Sequence, residues 1–489
     1  MLQICKDLFN RWNAESMKYC HWKSNEHLSA GLDGETDLDV LIDATYKEQI
    51  YQIFANLCFL PCKPQYGSRY PKVEDWIGFD QNTGKLIHIH LHYTIVTGHK
   101  GMKEYDLPWS SNVLDTRIID DLSSIYISDP NWEIITLYTR IGLKASEAQI
   151  SKAKNGTYKT GEDIVREIEY LKKRVDWETV KSNLHLYYKE SSNTILEIMI
   201  EDEITSAKFL ELIKIAEIAM KPYRRYGIIK TKIFKNYFQL VLPIMAWLKR
   251  KKNHIYILRK TPMHQKGLIV AFLGQDGAGK STITEEIEKW LKWKLEVKRF
   301  YLGSGDHFMP WEKKLQGKLA KSKSSLLRIV QSFLSVNMYY KISRRVLKEV
   351  RKSNLYSSRG GITLYDRYPQ IIYPNINDGP KIRERFIRKS SNTIVNSILN
   401  ILAFFEENNI KKAVDFSPNV VIKLMLPPEE SIRRKPQENI ELVRKKHEII
   451  KSLQFVDSSV YEIDATEVFD IELIRIKRII WEEIIKNCL

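Results

Sequence analysis

The stretch Gly267 to Thr282 reads GLIVAFLGQDGAGKST and holds the densest chemistry in the chain. Within it Gly274, Gln275, Asp276, Gly277, Ala278, Gly279, Lys280 and Ser281 satisfy G-x-x-x-x-G-K-[ST], with Thr282 following. Glycines let backbone N–H groups converge on a phosphate, and a helix N-terminus adds about half a positive charge. Lys280 would neutralise the β- and γ-oxygens of a triphosphate, and Ser281 would hold Mg2+. Leu268 to Leu273 reads as a buried parallel strand and Ser281 to Trp293 as a helix. That context separates a phosphate loop from a glycine turn that precedes a lysine by accident. ATP and Mg2+ are the expected cofactors.

A second set of residues lies near the start. His21-Trp22-Lys23-Ser24 is followed, after twelve intervening residues, by Asp37-Leu38-Asp39-Val40-Leu41-Ile42, an alternating strand with Asp37 and Asp39 on one face. Two such carboxylates beside a serine turn suit a Mg2+–nucleotide site. In Leu86 to Tyr93 the residues His88, His90 and His92 alternate and share a face. A mixed His/Asp set suits Zn, Mn or Fe better than Mg. The competing reading is a strand whose histidines hydrogen-bond to neighbouring loops or carboxylates. The stretch from His21 to Ile42 resembles the nucleotidyltransferase superfamily, whose motif joins a Gly-Ser or Gly-Gly turn to a D-h-[DE] strand. Lys23-Ser24 stands where that family has Gly-Ser. The resemblance puts the family's third carboxylate at His90, so Asp37, Asp39 and His90 are the candidate metal residues and a two-metal reaction is not expected.

These residues need scaffolds to hold them. At 489 residues the chain is too long for one core. We expect an α+β domain over 1–128, a helical region over 129–256 and an α/β domain with a parallel sheet flanked by helices over 257–489. A helix fits residues 1 to 20, and Pro130-Asn131-Trp132-Glu133 opens another that continues from Ile134 to Leu143. The polar stretch Ser146 to Gly161 reads as a mobile loop, and Lys249 to Gln265 as a basic connection. The net charge of +17 favours anionic partners, but the basic residues are scattered and nucleic-acid motifs are absent, so nucleic acid is not expected. Cys5, Cys20, Cys58, Cys62 and Cys488 form no C-x-x-C pair and read as reduced thiols. MLQICKDLFNRWNAES lacks a signal-peptide pattern, and Phe238 to Leu248 is too short and too polar to span a bilayer. A cytoplasmic location is the expectation, with small-molecule partners and a homodimer left open.

In the last third, Leu295 to Leu302 reads as a strand ending in Gly303-Ser304-Gly305-Asp306, and Ser325 to Lys352 as a long helix. Gly361 to Tyr365 is a short buried strand delivering Asp366-Arg367-Tyr368 at its C-terminal end, where doubly wound sheets bind ligands. Asn419 to Leu426 is another strand, Glu429 to Arg434 opens a helix, and Val460 to Ile463 is the last strand. The phosphate loop, Asp366-Arg367-Tyr368, the strand followed by P-P-E-E-S-I-R-R-K, and Glu462-Ile463-Asp464-Ala465 together resemble thymidylate kinase over about 267 to 485. The resemblance implies Lys280 and Ser281 on ATP–Mg2+, Asp276 near the acceptor sugar and Arg367 on the acceptor phosphate. It also implies a lid beginning at Arg433 or Arg434, and acceptor contacts from Tyr340 and Arg344, with Tyr368 beside Arg367. Asp366 is a candidate for a water-mediated Mg2+ contact, or for a surface pair with Arg367.

One departure bears on the substrate. Where that family has a helix reading thymine, this chain has Pro369-Gln370-Ile371-Ile372-Tyr373-Pro374-Asn375 and then Asn377-Asp378-Gly379-Pro380, and two prolines exclude the helix. The expected activity is transfer of the ATP γ-phosphoryl group to a small phosphorylated acceptor, with dTMP the family-level candidate. The alternatives are a bifunctional nucleotidyltransferase–kinase acting on a sugar phosphate, and a non-catalytic nucleotide-sensing switch.

Overall fold

A computed structural model describes residues 1–64, 70, 72–99, 101–241, 244, 247, 260–262, 266–303, 325–387 and 393–488. The expected basic connection and the residues Ser304 to Asp306 fall largely or wholly outside these. The chain divides into two compact units, Met1–Asn253 and His254–Leu489.

In the first unit the alternation of apolar residues builds a mixed sheet from β1 (Tyr19–His21), β2 (Leu38–Ile42), β3 (Leu60–Pro64), β4 (Val73–Phe79), β5 (Leu86–His92), β6 (Ile118–Ile119) and β7 (Tyr126–Ile127). These run in the order β3-β4-β5-β2-β1-β7-β6. β5 is parallel to β2 and antiparallel to β4, so Asp39 and Asp75 are both register partners of His90. Asp37 stands one residue before β2, which is buried along its whole length and so lacks the half-exposed alternation of a surface strand. Helices α1 (Gln3–Ala14) and α2 (Lys47–Asn56) cover one side, where Trp12 packs on Phe9, Tyr19 and Phe54 with ring centroids 5.4, 5.0 and 6.0 Å away.

A second core joins the sheet to helices α3 (Pro130–Leu143), α4 (Glu147–Lys154), α5 (Glu162–Lys172), α6 (Trp177–Tyr188), α7 (Ser192–Ile200) and α8 (Ser206–Ala219), with Trp22, Leu41 and Trp109 in one cluster with Trp132, Leu184 and Phe209. Asp129 caps α3, its carboxylate accepting from the Asn131 N–H at 2.7 Å. The expected loop at Ser146 to Gly161 contains α4 instead. A capping box outweighs its polar composition: Ser146 Oγ accepts from the Gln149 N–H, and the Gln149 side chain accepts from the Ser146 N–H.

The second unit is an α/β structure with a parallel sheet flanked by helices. Strands β8 (Ile269–Gly274), β9 (Val297–Tyr301), β10 (Ile362–Asp366), β11 (Val420–Met425) and β12 (Ser459–Asp464) are all parallel, in the order β9-β10-β8-β11-β12. The central strands β8, β10 and β11 are buried on both faces, which explains their unbroken apolar runs. Around them lie α9 (Lys280–Lys292), α10 (Ser325–Ser357), α11 (Thr393–Val414), α12 (Pro428–Arg434), α13 (Ile440–Ser452) and α14 (Phe469–Cys488). Parallel register puts the C-terminal ends of β8 and β10 side by side, pairing Phe272 with Asp366. Among the described residues no helix is long and apolar enough to cross a membrane. Cys5, Cys20, Cys58 and Cys62 are not joined in disulfides.

Candidate functional site: a phosphate loop and a histidine–carboxylate cluster

The chain leaves β8 and turns at once into α9, and the turn uses two left-handed residues, Gly277 at φ 87° and Gly279 at φ 81°. A β-carbon strains both conformations, which is why glycine stands there. Gly274 passes close to β11, where an added β-carbon would meet the Leu424 carbonyl at 3.0 Å. Ala278 is buried under the loop, and Thr282 is exposed on the first turn of α9. Lys280 is buried and its Nζ donates to the Gln275 carbonyl at 2.7 Å. Burial and then the nearby Arg367 charge push its ammonium down to about 8. Gln275 is fixed in turn by its donation to the Leu426 carbonyl and by His447 Nδ1 at 3.1 Å.

Ser281 Oγ donates to Asp366 Oδ2 at 2.7 Å, while Asp366 Oδ1 is buried with no hydrogen-bond partner. Burying a carboxylate oxygen unpaired is costly, and the hydroxyl–carboxylate pair at the mouth of the loop is a donor set that fits Mg2+. Asp366 is thus paired with the loop serine, and the expected alternative of a surface pair with Arg367 is absent among the described contacts: Arg367 turns to Asp276. Its Nη2 lies 2.9 Å from Asp276 Oδ1, and its Nη1 3.8 Å from Asp378 Oδ2. Arg367 sits at φ 73°, a conformation that few non-glycine residues adopt. Lys446, on α13, reaches Asp276 Oδ2 at 2.8 Å. Burial works to raise the Asp276 carboxyl, but Lys446 and Arg367 outweigh it and hold it well below the usual carboxylate range.

The two lid arginines part company. Arg434 donates to the Gly277 and Ala465 carbonyls, each at 3.1 Å, whereas Arg433 is 79% exposed and pairs only with Glu430 among the contacts described. The residues expected to contact the acceptor, Tyr340 and Arg344, lie on α10. Tyr340 packs toward Phe405 with Arg344 over its ring, and the neighbouring Tyr339 faces a small cavity with Ser343, Asp378, Lys381 and Glu406. A helix turns 100° per residue, so the two rings point apart although both pack against the cluster of Val336, Ile382, Leu399 and Ala403. Arg385 donates to the Tyr339 hydroxyl at 2.6 Å. Tyr368 is a core residue, its hydroxyl donating to the Phe416 carbonyl at 2.9 Å. The segment after it is a loop without a helix, as its prolines require, pinned by Gln370 donating to the Tyr373 and Ile376 carbonyls at 2.7 and 2.6 Å. Sequence reasoning missed Lys446, Asp378, Lys381 and Tyr339. Lysines on a helix carry no motif, and only Asn377-Asp378-Gly379 had turn character.

In the first unit, the turn ahead of β2 is clamped from the helices. Ser24 N and Oγ both donate to Glu167 Oε1 at 3.1 Å, and Asn25 donates to both Glu133 oxygens, at 3.0 and 2.6 Å. Burial pushes the Glu133 carboxyl up to about 7. Lys23 is thereby delivered to Asp39 Oδ2 at 2.8 Å. Burial opposes ionisation of Asp39, but Lys23, His90 and His92 outweigh it and keep its carboxyl well below the ordinary value. His92, wholly buried, is pushed by burial to about 3 and is neutral. The structure brings Asp37, Asp39, His88, His90 and His92 together and adds a residue that the sequence reading omitted: Asp75 on β4, with Oδ1 3.0 Å from Nε2 of both His88 and His90. The alternation in V-E-D-W-I-G-F could have found that strand.

No family model matches the chain. Among curated proteins it is 29% identical over 218 residues to the uncharacterized ATP-binding protein YghR of Escherichia coli strain K12, covering 42% of this chain and 82% of that protein. It is 23% identical over 231 residues to YghS of the same strain, also named an uncharacterized ATP-binding protein, covering 45% and 93%. Among solved structures, deoxyadenosine kinase from M. mycoides with bound dCTP aligns at 15% identity and a TM-score of 0.26, over 43% of this chain and 97% of that one.

Proposed function

We propose that the second unit is an ATP-dependent kinase that moves the γ-phosphoryl group of ATP to a small phosphorylated acceptor, a nucleoside monophosphate such as dTMP being the leading candidate. The observation that carries this reading is the Ser281–Asp366 pair with its unpartnered Asp366 oxygen at the mouth of a glycine-rich loop holding Lys280. The names of the two E. coli relatives point to ATP binding as well. Phosphoryl transfer breaks the bond between the γ-phosphorus and the β,γ-bridging oxygen and forms one to an acceptor oxygen, so catalysis is positioning plus neutralisation of charge on the phosphoryl oxygens. Lys280 and the loop N–H groups meet the β- and γ-phosphates; Ser281 and Asp366 would hold Mg2+, which when bound neutralises phosphate charge. Arg367, positioned by Asp276, meets the acceptor phosphate as a bidentate cation, and Lys381 and Arg385 extend that positive rim. Arg434 closes on the loop carbonyls.

A panel of nucleoside monophosphates and phosphosugars, scored as ADP release with and without each acceptor, tests the reading. Acceptor-dependent ADP release supports it, whereas ATP binding with no acceptor-stimulated turnover favours a nucleotide switch. Arg367→Ala is expected to raise the acceptor KM and lower kcat while leaving ATP binding in the binary complex unchanged; an equal loss of ATP affinity overturns the placement of Arg367.

A further inference from the structure

The histidine–carboxylate cluster of the first unit gathers Asp37, Asp39 and Asp75 around the rings of His88 and His90. His88 has Asp37 Oδ1 at 2.8 Å from Nδ1 and Asp75 Oδ1 at 3.0 Å from Nε2. His90 has Asp39 Oδ1 at 3.3 Å from Nδ1 and the same Asp75 oxygen at 3.0 Å from Nε2. Each ring is thus flanked by carboxylates on both nitrogens, yet a neutral imidazole carries a single N–H. Two states satisfy both nitrogens of a ring: the imidazolium, which carries two N–H groups, or a cation that takes the place of a proton between ring and carboxylate. Lys23 pairs with Asp39 at 2.8 Å.

The spacing suits a cation. Asp37, His88 and His90 each offer a ligand atom, all within 4.8 Å of one another. Ligands each about 2.1 Å from a tetrahedral ion lie about 3.4 Å apart, so the set closes with side-chain movements of about 1.4 Å or less. Asp39, accepting from His90 Nδ1, would be the outer carboxylate that fixes a ligating imidazole and its tautomer. Two imidazoles with carboxylate oxygens select zinc, manganese, iron or cobalt over magnesium and calcium.

We propose that the first unit holds one divalent d-block ion on Asp37, His88 and His90, with Asp75 as a further oxygen donor and Asp39 as the outer carboxylate. The proposal is independent of the kinase reading of the second unit. To test it, the full chain is stripped with chelator, incubated separately with Zn2+, Mn2+, Co2+ or Mg2+, freed of excess ion and analysed for metal without nucleotide. The expected result is about one d-block ion retained per chain and no retained Mg2+, with nitrogen coupling in the pulsed EPR spectrum of the Mn2+ form. His90→Gln is expected to weaken binding at least tenfold with an unchanged far-UV circular dichroism spectrum. Lys280→Ala is expected to retain the ion, separating it from the phosphate loop. Trace metal only, parental affinity in folded His90→Gln, or an all-oxygen EPR signature overturns the proposal; should His90→Gln not fold, the EPR signature of the parent chain decides.

Discussion

Each unit sets carboxylates beside cations, but with opposite logic. At the phosphate loop one acid, Asp276, is held between Arg367 and Lys446, and Lys280 remains as a cation with only a carbonyl partner. With Asp366 and Asp378 counted, three acids meet three cations, and the loop N–H groups tip the site toward anions. In the first unit, Asp37, Asp39 and Asp75 meet the imidazoles of His88 and His90, with Lys23 the ammonium paired into the cluster among the described contacts. The balance is negative. The difference teaches which ligand each place can take: the loop fits a polyanion, and the cluster fits a cation. Arginine and lysine fix the sign of the first site over the physiological range, whereas histidine leaves the second dependent on protons or metal.

The strongest way to break this contrast is Lys280→Ala. Removal of one charged clamp is expected to lower kcat about a hundredfold or more, roughly 3 kcal/mol of transition-state stabilisation, with little change in melting temperature. Near-parental turnover in a folded variant refutes the phosphate role. In the first unit the matching lesion acts on folding. Asp39→Ala strands Lys23, which is only 18% exposed, and is expected to destabilise that unit by about 3 kcal/mol, read as a lower urea midpoint at unchanged slope.

Proton linkage sharpens the comparison. The folded Lys280 ammonium loses its proton near 8, below its ordinary value of 10.5, so between those values the unfolded chain binds more protons and the second unit gains stability as pH rises. ATP restores the charged form, so binding at pH 9 is expected to take up close to one proton, measured by calorimetry in buffers of different ionisation enthalpy. Asp39 has the same sense in a lower window: its carboxyl is depressed, so its contribution is present above the unfolded value near 4 and is lost as pH falls through the folded value. The smallest effect concerns the lid pair. Arg433→Ala, at an exposed side chain, is expected to leave the melting temperature unchanged, and a fall in kcat without a fall in melting temperature would mark it as a group that moves onto the phosphates.

The phosphate loop was legible because its chemistry is contiguous. Backbone N–H groups, the lysine and the serine must follow one another around a single strand–turn–helix, so spacing in sequence is spacing in space. Asp366 could be read because parallel strands deliver their C-terminal ends to one edge. The prolines after Tyr368 likewise fixed a loop, since Pro restricts its own backbone and that of the residue before it. The mobile loop expected at Ser146 to Gly161 went the other way, because polar composition concealed a capping box that needs only Ser146 and Gln149 in register.

Other features were decided only by tertiary structure. Which of Tyr339 and Tyr340 lines the cavity depends on the rotation of α10 about its axis, set by the packing of α11 against it. Arg367 pairs with Asp276 rather than Asp366 because its backbone turns left-handed at the strand end. Asp75 joins His88 and His90 because β4 pairs antiparallel with β5 in one register, and a slip of one residue would put it on the opposite face. A sequence states which residues alternate within a strand. It does not state which strand lies alongside or in what register, because that choice is made by the burial of whole sheet faces, a sum over residues far apart in the chain.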